Sequence, residues 1–237
     1  MKNWSVMSDS PIAEMFDRIS PKYDQLNHLL SFNIDKLWRR KTAKIVAKSQ
    51  PKTILDLATG TADLAIAMAK RNPQAHIIGV DISEKMLDIG KAKIIKQNLE
   101  SQIELRLGDA AALPFETNFF DVITVAFGVR NFEDLERGLT EIHHVLKPNG
   151  QAFILEFSMP ERFLVRQAYR LYFKRILPSI GRWISKDATA YRYLPESVER
   201  FPKPDRFLDL LAAKGFKDLA KEALSLGIAT IYHAKKV

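Results

Sequence analysis

The chain has 237 residues, 46% of them hydrophobic, and a formal net charge of +8 at pH 7. This length and ordinary hydrophobic content predict a single domain over residues 1–237, since no change of composition marks a linker. The absence of cysteine excludes disulfide bonds and thiolate chemistry, and the five histidines lack metal-ligand spacing, so no metal is expected.

The predicted elements change character along the chain. Residues up to about 50 are predicted to form a helical N-terminal segment with breaks at Pro21 and Pro51, and strands alternate with helices from Thr53 onwards. The predicted strands are 53–58, 76–80, 103–107, 120–127, 151–157, 216–224 and 228–235. The predicted helices are 62–70, 84–98, 133–146 and 204–214, together with a helical insertion at about 160–203.

This alternation predicts an α/β fold of the Rossmann-like kind, with a mostly parallel seven-stranded sheet and helices on both faces. Pro148-Asn149-Gly150 is expected to form the turn before the fifth strand. The last two strands, on either side of Gly227, are expected to pair as a hairpin and to supply an antiparallel edge. Ligands of such sheets bind beyond the carboxyl ends of the strands, so the candidate side chains are sought there.

Three aspartates stand at or just after the ends of the first three predicted strands. Asp56 is expected to accept hydrogen bonds from an amino group of a ligand or from its own loop. Asp81 is suited to both hydroxyls of a ribose, and Asp109 to the amino group of an adenine. A single carboxylate at a strand end is often only a helix cap, but three on one rim of one sheet indicate a nucleotide site.

The loop from Asp56 to Thr61 indicates which nucleotide is bound. Gly60 lets a ligand pack against the backbone, Thr61 offers a hydroxyl and backbone donors, and Ala110 leaves space for a ring. A dinucleotide loop needs Gly-x-Gly-x-x-Gly, whereas this loop has one glycine and is followed by Asp63, which would repel a pyrophosphate. Because a cationic sulfonium is not repelled, the sequence favours S-adenosylmethionine (SAM) over NAD.

Several segments carry a resemblance to a known family. They are MFDRISPKYDQLNHLLSFNIDKLWRR, LDLATGTADLA, VDIS, GDAAALPF, FGVRNFED, VLKPNGQAFILEFS and YRYLPESVERFP. These segments resemble the class I SAM-dependent methyltransferases, and more narrowly the C-methyltransferases that act on demethylmenaquinol and on the related ubiquinone precursor. The resemblance spans nearly the whole chain and implies a cofactor held by Thr61, Asp81, Asp109 and Ala110. The alanines at 58 and 62 and the threonine at 59 depart from the usual methyltransferase loop.

The resemblance also implies the reaction, which is methylation of a ring carbon of a hydroquinone with a long isoprenoid tail. Demethylmenaquinol is the favoured acceptor and the ubiquinone precursor is the alternative. Arg130 and Asn131 follow the fourth strand and are expected to hold a phenolate and orient the ring, although Asn131 also suits a helix N-cap. Glu156, near the end of the fifth strand, is either a proton acceptor or a buried carboxylate paired with an arginine. Lesser candidates for an aromatic pocket are Tyr23, Tyr169, Tyr191 and Tyr193.

The insertion has seven basic residues and no acidic one between Arg162 and Lys186. One side of the predicted helix carries Arg162, Arg166, Arg170 and Lys174, and an adjacent apolar stripe carries Val165, Tyr169, Tyr172 and Ile176. Such a helix either rests on an anionic bilayer or covers the active site as a lid, and the two roles are compatible. Because no apolar run is long enough to span a bilayer and residues 1–10 do not resemble an export signal, the expected location is cytoplasmic, with peripheral contact at the inner membrane face.

Three other classes of protein fit the sequence less well. An RNA methyltransferase would suit the positive charge, but no platform of interleaved aromatic and basic residues lies on the binding rim, so no nucleic-acid partner is expected. A non-catalytic quinone- or lipid-binding protein would not need Asp81, Asp109 and the Arg130-Asn131 pair. The loop chemistry disfavours an NAD-dependent oxidoreductase. The oligomeric state is not indicated by the sequence.

Overall fold

The computed structural model describes residues 10–172 and 188–237. The helices are α1 (Pro11–Leu30), α2 (Ile34–Val46), α3 (Asp63–Ala69), α4 (Glu84–Lys96), α5 (Leu135–Val145), α6 (Phe163–Leu171), α7 (Ala188–Arg200) and α8 (Pro204–Ala213). The strands are β1 (Thr53–Leu57), β2 (His76–Asp81), β3 (Ile103–Leu107), β4 (Phe120–Ala126), β5 (Leu146–Phe157), β6 (Phe216–Leu224) and β7 (Ala229–Lys236). No helix in these described ranges is long and apolar enough to cross a membrane.

The strands form one seven-stranded sheet in the order β3-β2-β1-β4-β5-β7-β6. Strands β1 to β5 are parallel, and β7 pairs antiparallel with both β5 and β6, which confirms the predicted fold and its closing hairpin. The chain order reverses between β1 and β4, so the crevice beyond the carboxyl ends of these strands is where ligands of such sheets bind.

Helices cover both faces of the sheet, as the alternating pattern predicts. On one face α5 and α8 bury Leu139 and Phe207 against the strands, and on the other α3 and α4 bury Met68 and Ile94. Residues 54–57 of β1 are buried on both sides, as expected for a central parallel strand. This core fixes the strand ends from which the candidate site is built.

Two sequence predictions about chain breaks are wrong. Pro21 lies inside the continuous helix α1. A proline removes the hydrogen bond to the carbonyl four residues earlier, but here the Ser20 hydroxyl donates to that carbonyl, of Asp17, at 3.0 Å. The helix ends instead at the corner before α2, where Phe32 (φ 52°) and Asn33 (φ 61°) are left-handed.

The second error concerns Pro148-Asn149-Gly150, which lies within β5 rather than in a turn before it. Leu146 already pairs with Phe120, and the ladder resumes at Gln151 after a shift of register. The intervening residues, with Asn149 at φ 65°, therefore form an irregularity inside the strand. The turn-forming residues were recognised, but not that the strand continues on both sides of them.

Helix α1 is fastened across the turns that follow β1 and β2. The Asp17 carboxylate accepts hydrogen bonds from the Ser83 hydroxyl (2.5 Å) and the Lys85 N–H (3.3 Å). Farther along α1, Asp24 accepts from the Thr61 hydroxyl (2.6 Å) and pairs with Lys93 (2.6 Å). The N-terminal segment therefore forms part of the crevice wall at the switch point.

Candidate active site

A cavity of about 350 Å³, here called the rim cavity, lies at the carboxyl ends of the parallel strands. Its walls come from the turns after β1 to β4 and from the beginning and middle of α1. The residues that line it include Phe16, Tyr23, Ala58, Gly60, Asp81, Met86, Asp109, Ala110, Phe127 and Asn131. Four predicted cofactor residues, Gly60, Asp81, Asp109 and Ala110, are therefore brought together in one cavity.

Asp81 is the most buried carboxylate in the wall of the rim cavity, at 8% exposure. One oxygen accepts the Gly60 N–H at 2.8 Å and the other the Ser83 N–H at 2.9 Å. Burial raises its pKa to about 6, against the opposing effect of these backbone donors. Each oxygen keeps a lone pair for a further donor, so the carboxylate can accept from two adjacent hydroxyls.

The loop after β1 is open to the rim cavity through its backbone. Gly60 is left-handed (φ 55°), and a Cβ added there would meet nothing within 4 Å. Its neighbours Ala58 (φ 51°) and Ala62 (φ 63°) are left-handed as well, which is costly for a residue with a side chain. The alanines that depart from the usual methyltransferase pattern thus occupy positions where glycine would be unstrained.

Asp109 and Ala110 form the far wall of the rim cavity, after β3. The Asp109 side chain accepts the Ala111 N–H at 2.8 Å, which fixes the turn and leaves its second oxygen without a contact in the described part of the chain. Ala110 is almost completely buried and adds little bulk. This end of the cavity has room for a flat ring, and Asp109 provides one acceptor for an amino group of that ring.

Asp56 and Thr61 do not line the rim cavity among the described residues. The oxygens of Asp56 accept the hydroxyls of Thr59 (2.7 Å) and Thr124 (2.5 Å), and burial raises its pKa to about 6. The Thr61 hydroxyl is bound to Asp24 of α1, as described above. Both side chains therefore stabilise the loop. Asp56 was expected to bind either an amino group of a ligand or its own loop, and in the structure it binds the loop.

A second cavity of about 370 Å³, here called the apolar cavity, adjoins the first. The two share three aromatic residues, Phe16, Tyr23 and Phe127. The apolar cavity is otherwise lined mainly by Met15, Ile19, Phe32, Ile34, Trp38, Phe157, Val165, Ala168, Tyr169, Tyr172, Tyr193, Leu194 and Ile228. Among these apolar walls stand the side chains of Asp35, Arg39 and Arg130. The arrangement suits a hydrophobic ring beside a ligand of the rim cavity.

Arg130 and Glu156 form a buried ion pair at the wall of the apolar cavity. Nη1 of Arg130 lies 2.8 Å from Oε1 of Glu156, and the Arg130 and Phe157 N–H groups also donate to this carboxylate, at 3.3 and 2.8 Å. Glu156 is completely buried and does not line the cavity, whereas Arg130 does. Burial raises the pKa of Glu156, and Arg130 opposes that effect. Of the two roles left open by the sequence, the geometry is that of a carboxylate paired with an arginine.

Asn131 links the two cavities. It lines the rim cavity, and its side-chain oxygen accepts the hydroxyl of Tyr193, which lines the apolar cavity, at 3.0 Å. Asn131 ends a short 3₁₀ turn, and the N-cap of α5 is Asp134, whose side chain accepts the Arg137 N–H. The capping role weighed for Asn131 is therefore taken by another residue.

Sequence reasoning missed the contribution of the N-terminal helices. Tyr23, which it ranked low, lies where the cavities meet, and burial raises its pKa while Arg130 and Arg39 oppose that rise. Asp35 and Arg39 of α2 were not singled out at all. The sequence does place these two charged residues one helical turn apart on an otherwise apolar helix face, which could have marked them as candidate site residues. It could not indicate which cavity they line.

The apolar stripe predicted on the insertion faces the apolar cavity where it is described. Val165, Tyr169 and Tyr172 line that cavity, as a lid would. Arg162 and Arg170 are exposed. Tyr169 and Tyr193 occupy the predicted aromatic pocket. The remaining predicted positions, Lys174 and Ile176 together with the Tyr191 side chain, lie outside the described residues.

The sheet order, the acidic rim and the adjoining apolar cavity define a class I SAM-dependent methyltransferase. The chain belongs to the ubiE/COQ5 methyltransferase family, whose sequence profile matches residues 4–236. It is 43% identical over 225 residues to a demethylmenaquinone methyltransferase of Bacteroides fragilis, covering 95% of this chain and 92% of that one. It is 45% identical over 218 residues to a demethylmenaquinone methyltransferase of Thermus thermophilus, with coverage of 92% and 98%.

A third relative, the ubiquinone/menaquinone biosynthesis C-methyltransferase UbiE of Geotalea daltonii, is 44% identical over 226 residues and covers 95% of this chain and 96% of that one. Solved structures support the fold. A putative SAM-dependent methyltransferase of Methanococcus maripaludis matches with a TM-score of 0.66 at 21% identity, covering 94% of each chain. The [4+2]-cyclase SpnF matches with a TM-score of 0.70 at 18% identity, covering 95% of each chain. The protein is thus a methyltransferase with SAM as its methyl donor.

Proposed function

We propose that the enzyme transfers the methyl group of SAM to a ring carbon of a polyprenylated hydroquinone, demethylmenaquinol, and so forms menaquinol. The observation that carries this proposal is the apolar cavity that shares Phe16, Tyr23 and Phe127 with the rim cavity. A hydrophobic ring there would lie directly beside the sulfonium. The names of the Bacteroides and Thermus relatives support the same acceptor.

The chemistry asks little of the protein beyond positioning. When one hydroxyl of the ring loses its proton, the adjacent carbon becomes nucleophilic and attacks the sulfonium methyl in line. A carbon–carbon bond forms, and the carbon–sulfur bond breaks with its electrons remaining on sulfur. The methylated carbon then loses its proton and the ring oxygen regains one, so that the whole reaction releases a single proton. Arg130, held by Glu156, is proposed to stabilise the developing phenolate, with Asn131 orienting the adjoining cofactor and Tyr193.

The cofactor is proposed to lie in the rim cavity, with its ribose on Asp81 and its adenine between Asp109 and Ala110. Gly60 would give the amino-acid part of the cofactor access to the backbone. Asp56 and Thr61 would act indirectly by holding the loop, since their side chains are engaged within the protein. These assignments give each residue a distinct effect on cofactor affinity.

A benzoquinol precursor of ubiquinone is proposed as a second acceptor, because the Geotalea relative is named for both quinones. The test is methyl transfer from labelled SAM to demethylmenaquinol and to the demethylated ubiquinol precursor, with transfer RNA as the control acceptor. We expect label in menaquinol and none in RNA. Label in RNA alone, or none in either quinol, would overturn the proposal.

We also propose that the enzyme works as a peripheral protein at the inner face of the cytoplasmic membrane, where a tailed quinol is available. The outer side of α6 supports this, because Phe163, Leu164 and Leu171 are 62%, 79% and 52% exposed beside the exposed Arg162 and Arg170. Such a mixture of apolar and cationic side chains suits an anionic lipid surface.

Vesicle co-sedimentation with phosphatidylglycerol tests the membrane proposal. The variant Leu164→Ser with Arg170→Gln should lose most of its vesicle binding and keep its turnover of a water-soluble, short-tailed quinol. A matched control is Arg206→Gln, an exposed arginine on α8. Equal vesicle binding by the α6 variant and the wild type would leave α6 as a lid alone.

A further inference from the structure

The charged groups of the apolar cavity form two ion pairs, and each lies beside one ring of a tilted aromatic pair. The rings of Phe127 and Phe157 lie 4.5 Å apart, centroid to centroid. The Arg39 guanidinium stands 5.1 Å from the centre of the Phe127 ring, and the Arg130 guanidinium 5.4 Å from that of Phe157. Each arginine is paired with a buried carboxylate, Arg39 with Asp35 and Arg130 with Glu156. The cavity thus has two polar poles in a largely apolar wall.

The two poles differ in the groups that they present. Glu156 is fully buried behind Arg130, so the Arg130 pole presents a guanidinium to the cavity and no carboxylate. At the other pole both Asp35 and Arg39 line the cavity, and a carboxylate acceptor stands beside the donor. A ligand can therefore donate a hydrogen bond to a carboxylate at the Asp35 pole and not at the Arg130 pole.

Asp35 is held rigidly enough to discriminate between ligands. Its Oδ2 is engaged by Arg39 and by Nδ1 of His28 (2.8 Å), whereas its Oδ1 accepts one described contact, from the Ser31 hydroxyl at 2.5 Å. The second lone pair of Oδ1 is left for a ligand. Burial raises the pKa of Asp35, but Arg39, Ser31 and His28 outweigh it, and the pKa lies below its ordinary value. The group is therefore an ionised acceptor at neutral pH.

We propose that the Asp35–Arg39 pair selects the reduced form of the acceptor ring by accepting a hydrogen bond from the hydroxyl farther from the methylated carbon. This inference rests on the proposed function, in which the acceptor is a para-hydroquinone. Arg130 faces the hydroxyl that loses its proton, and Asp35 keeps the opposite hydroxyl protonated. The two oxygens of such a ring lie at its opposite ends, and the two poles lie beside different rings of the Phe127–Phe157 pair.

The oxidised ring, a quinone, cannot form this hydrogen bond with Asp35. A quinone has carbonyl oxygens and no donor, so its lone pairs would stand against those of a fixed carboxylate in a buried place. Excluding the quinone is useful, because an electron-poor ring does not attack a sulfonium and would only occupy the cavity. The carboxylate acts as a repulsive element against the wrong ligand as well as an attractive one for the right ligand.

The experiment compares three short-tailed ligands on the wild type and Asp35→Asn. They are the demethylated naphthohydroquinone, its quinone, and the mono-ol that lacks the hydroxyl beside the tail. Dissociation constants are measured anaerobically with the SAM-loaded enzyme, and methyl transfer to the two phenols is followed in parallel. Glu222→Gln is the matched control. Glu222, on β6, pairs with Lys41 of α2, the helix that also carries Asp35, and Glu222 does not line the cavity.

We expect the wild type and Glu222→Gln to bind the hydroquinone about 10- to 100-fold more tightly than either the quinone or the mono-ol. In Asp35→Asn the preference over the quinone should fall below about threefold, since the amide can donate to a carbonyl. The SAM dissociation constant should remain that of the wild type.

Equal affinity of the wild type for hydroquinone and mono-ol would overturn the inference without any mutation, so the result does not depend on the variant folding. An unchanged hydroquinone preference in folded Asp35→Asn would overturn it too. Failure of the proposed function looks different: the wild type would methylate neither phenol. If the wild type methylates the hydroquinone and shows no preference over the quinone, only the role of Asp35 fails.

Discussion

The replacement Asp81→Asn tests the cofactor site most directly. Both oxygens of Asp81 already accept a backbone N–H, from Gly60 at 2.8 Å and Ser83 at 2.9 Å. An asparagine turns one oxygen into an NH₂ group, which faces one of these donors and offers no acceptor to one hydroxyl of the proposed ribose contact. Losing one charge-assisted hydrogen bond and weakening a second costs about 2–4 kcal/mol, so the SAM dissociation constant should rise about 30- to 900-fold.

The pH dependence gives an independent check on the same residue. Burial raises the pKa of Asp81 to about 6, and the proposed contact with the ribose of SAM requires the ionised form. Affinity should therefore fall as the pH falls through 6, and be about tenfold weaker at pH 5 than at pH 7 for a single titrating group. The part of this dependence that is due to Asp81 should be missing from Asp81→Asn.

Isothermal titration calorimetry with SAM, from pH 5 to pH 7.5, measures both effects. Asp218→Asn is a suitable control, because Asp218 lies on the β6 strand at the far edge of the sheet. A change of less than threefold in the dissociation constant of Asp81→Asn at pH 7.5 would refute the ribose assignment. The same holds for an unaltered pH profile, because the carboxylate could then not be in contact with the cofactor.

Three further predictions follow from buried groups. Glu156→Ala leaves the Arg130 charge buried without its partner and should lower the free energy of unfolding by about 3–5 kcal/mol, against about 1–3 for Glu156→Gln, as measured by urea denaturation. In Gly128→Ala the new Cβ would lie 2.3 Å from that of Ala58, so SAM affinity should fall more than tenfold and recover in the double variant with Ala58→Gly; a double variant no better than the single one would contradict this. Burial raises the pKa of Asp56 to about 6, above its value in the unfolded chain. Between pH 4 and 6 the folded protein therefore binds more protons at this group than the unfolded chain does, and the free energy of unfolding falls as the pH rises. Relative to Asp56→Asn, the wild type should therefore lose about 2–4 kcal/mol of unfolding free energy over that range, and a constant difference would contradict the shift.

Two of the sequence predictions that held depend on local pattern and on the geometry of parallel sheets. Strands β6 and β7 pair antiparallel on either side of Gly227, as expected of neighbouring strands joined by a short turn. Asp81 and Asp109 meet in one cavity because the carboxyl ends of parallel strands share one edge of the sheet. The errors at Pro21 and Pro148-Asn149-Gly150 arose where a neighbouring group compensated for a residue that usually breaks an element. In the first case that group is the Ser20 hydroxyl, and in the second it is the strand pairing that resumes at Gln151.

The sequence by itself determined the order of strands and helices, the acidic rim and the choice of a sulfonium ligand, because these depend on residues close together in the chain. Only the tertiary structure decided which side chains face a ligand. Asp56 and Thr61 turn to Thr124 and Asp24, 68 and 37 positions away, so their hydroxyl and carboxylate groups brace the loop. The apolar cavity is likewise assembled from α1, α2, the turn after β4, the end of β5 and the insertion, which meet only when the sheet is formed. A contact between distant segments depends on how the packed helices cross the sheet rim, and no local pattern of residues encodes that.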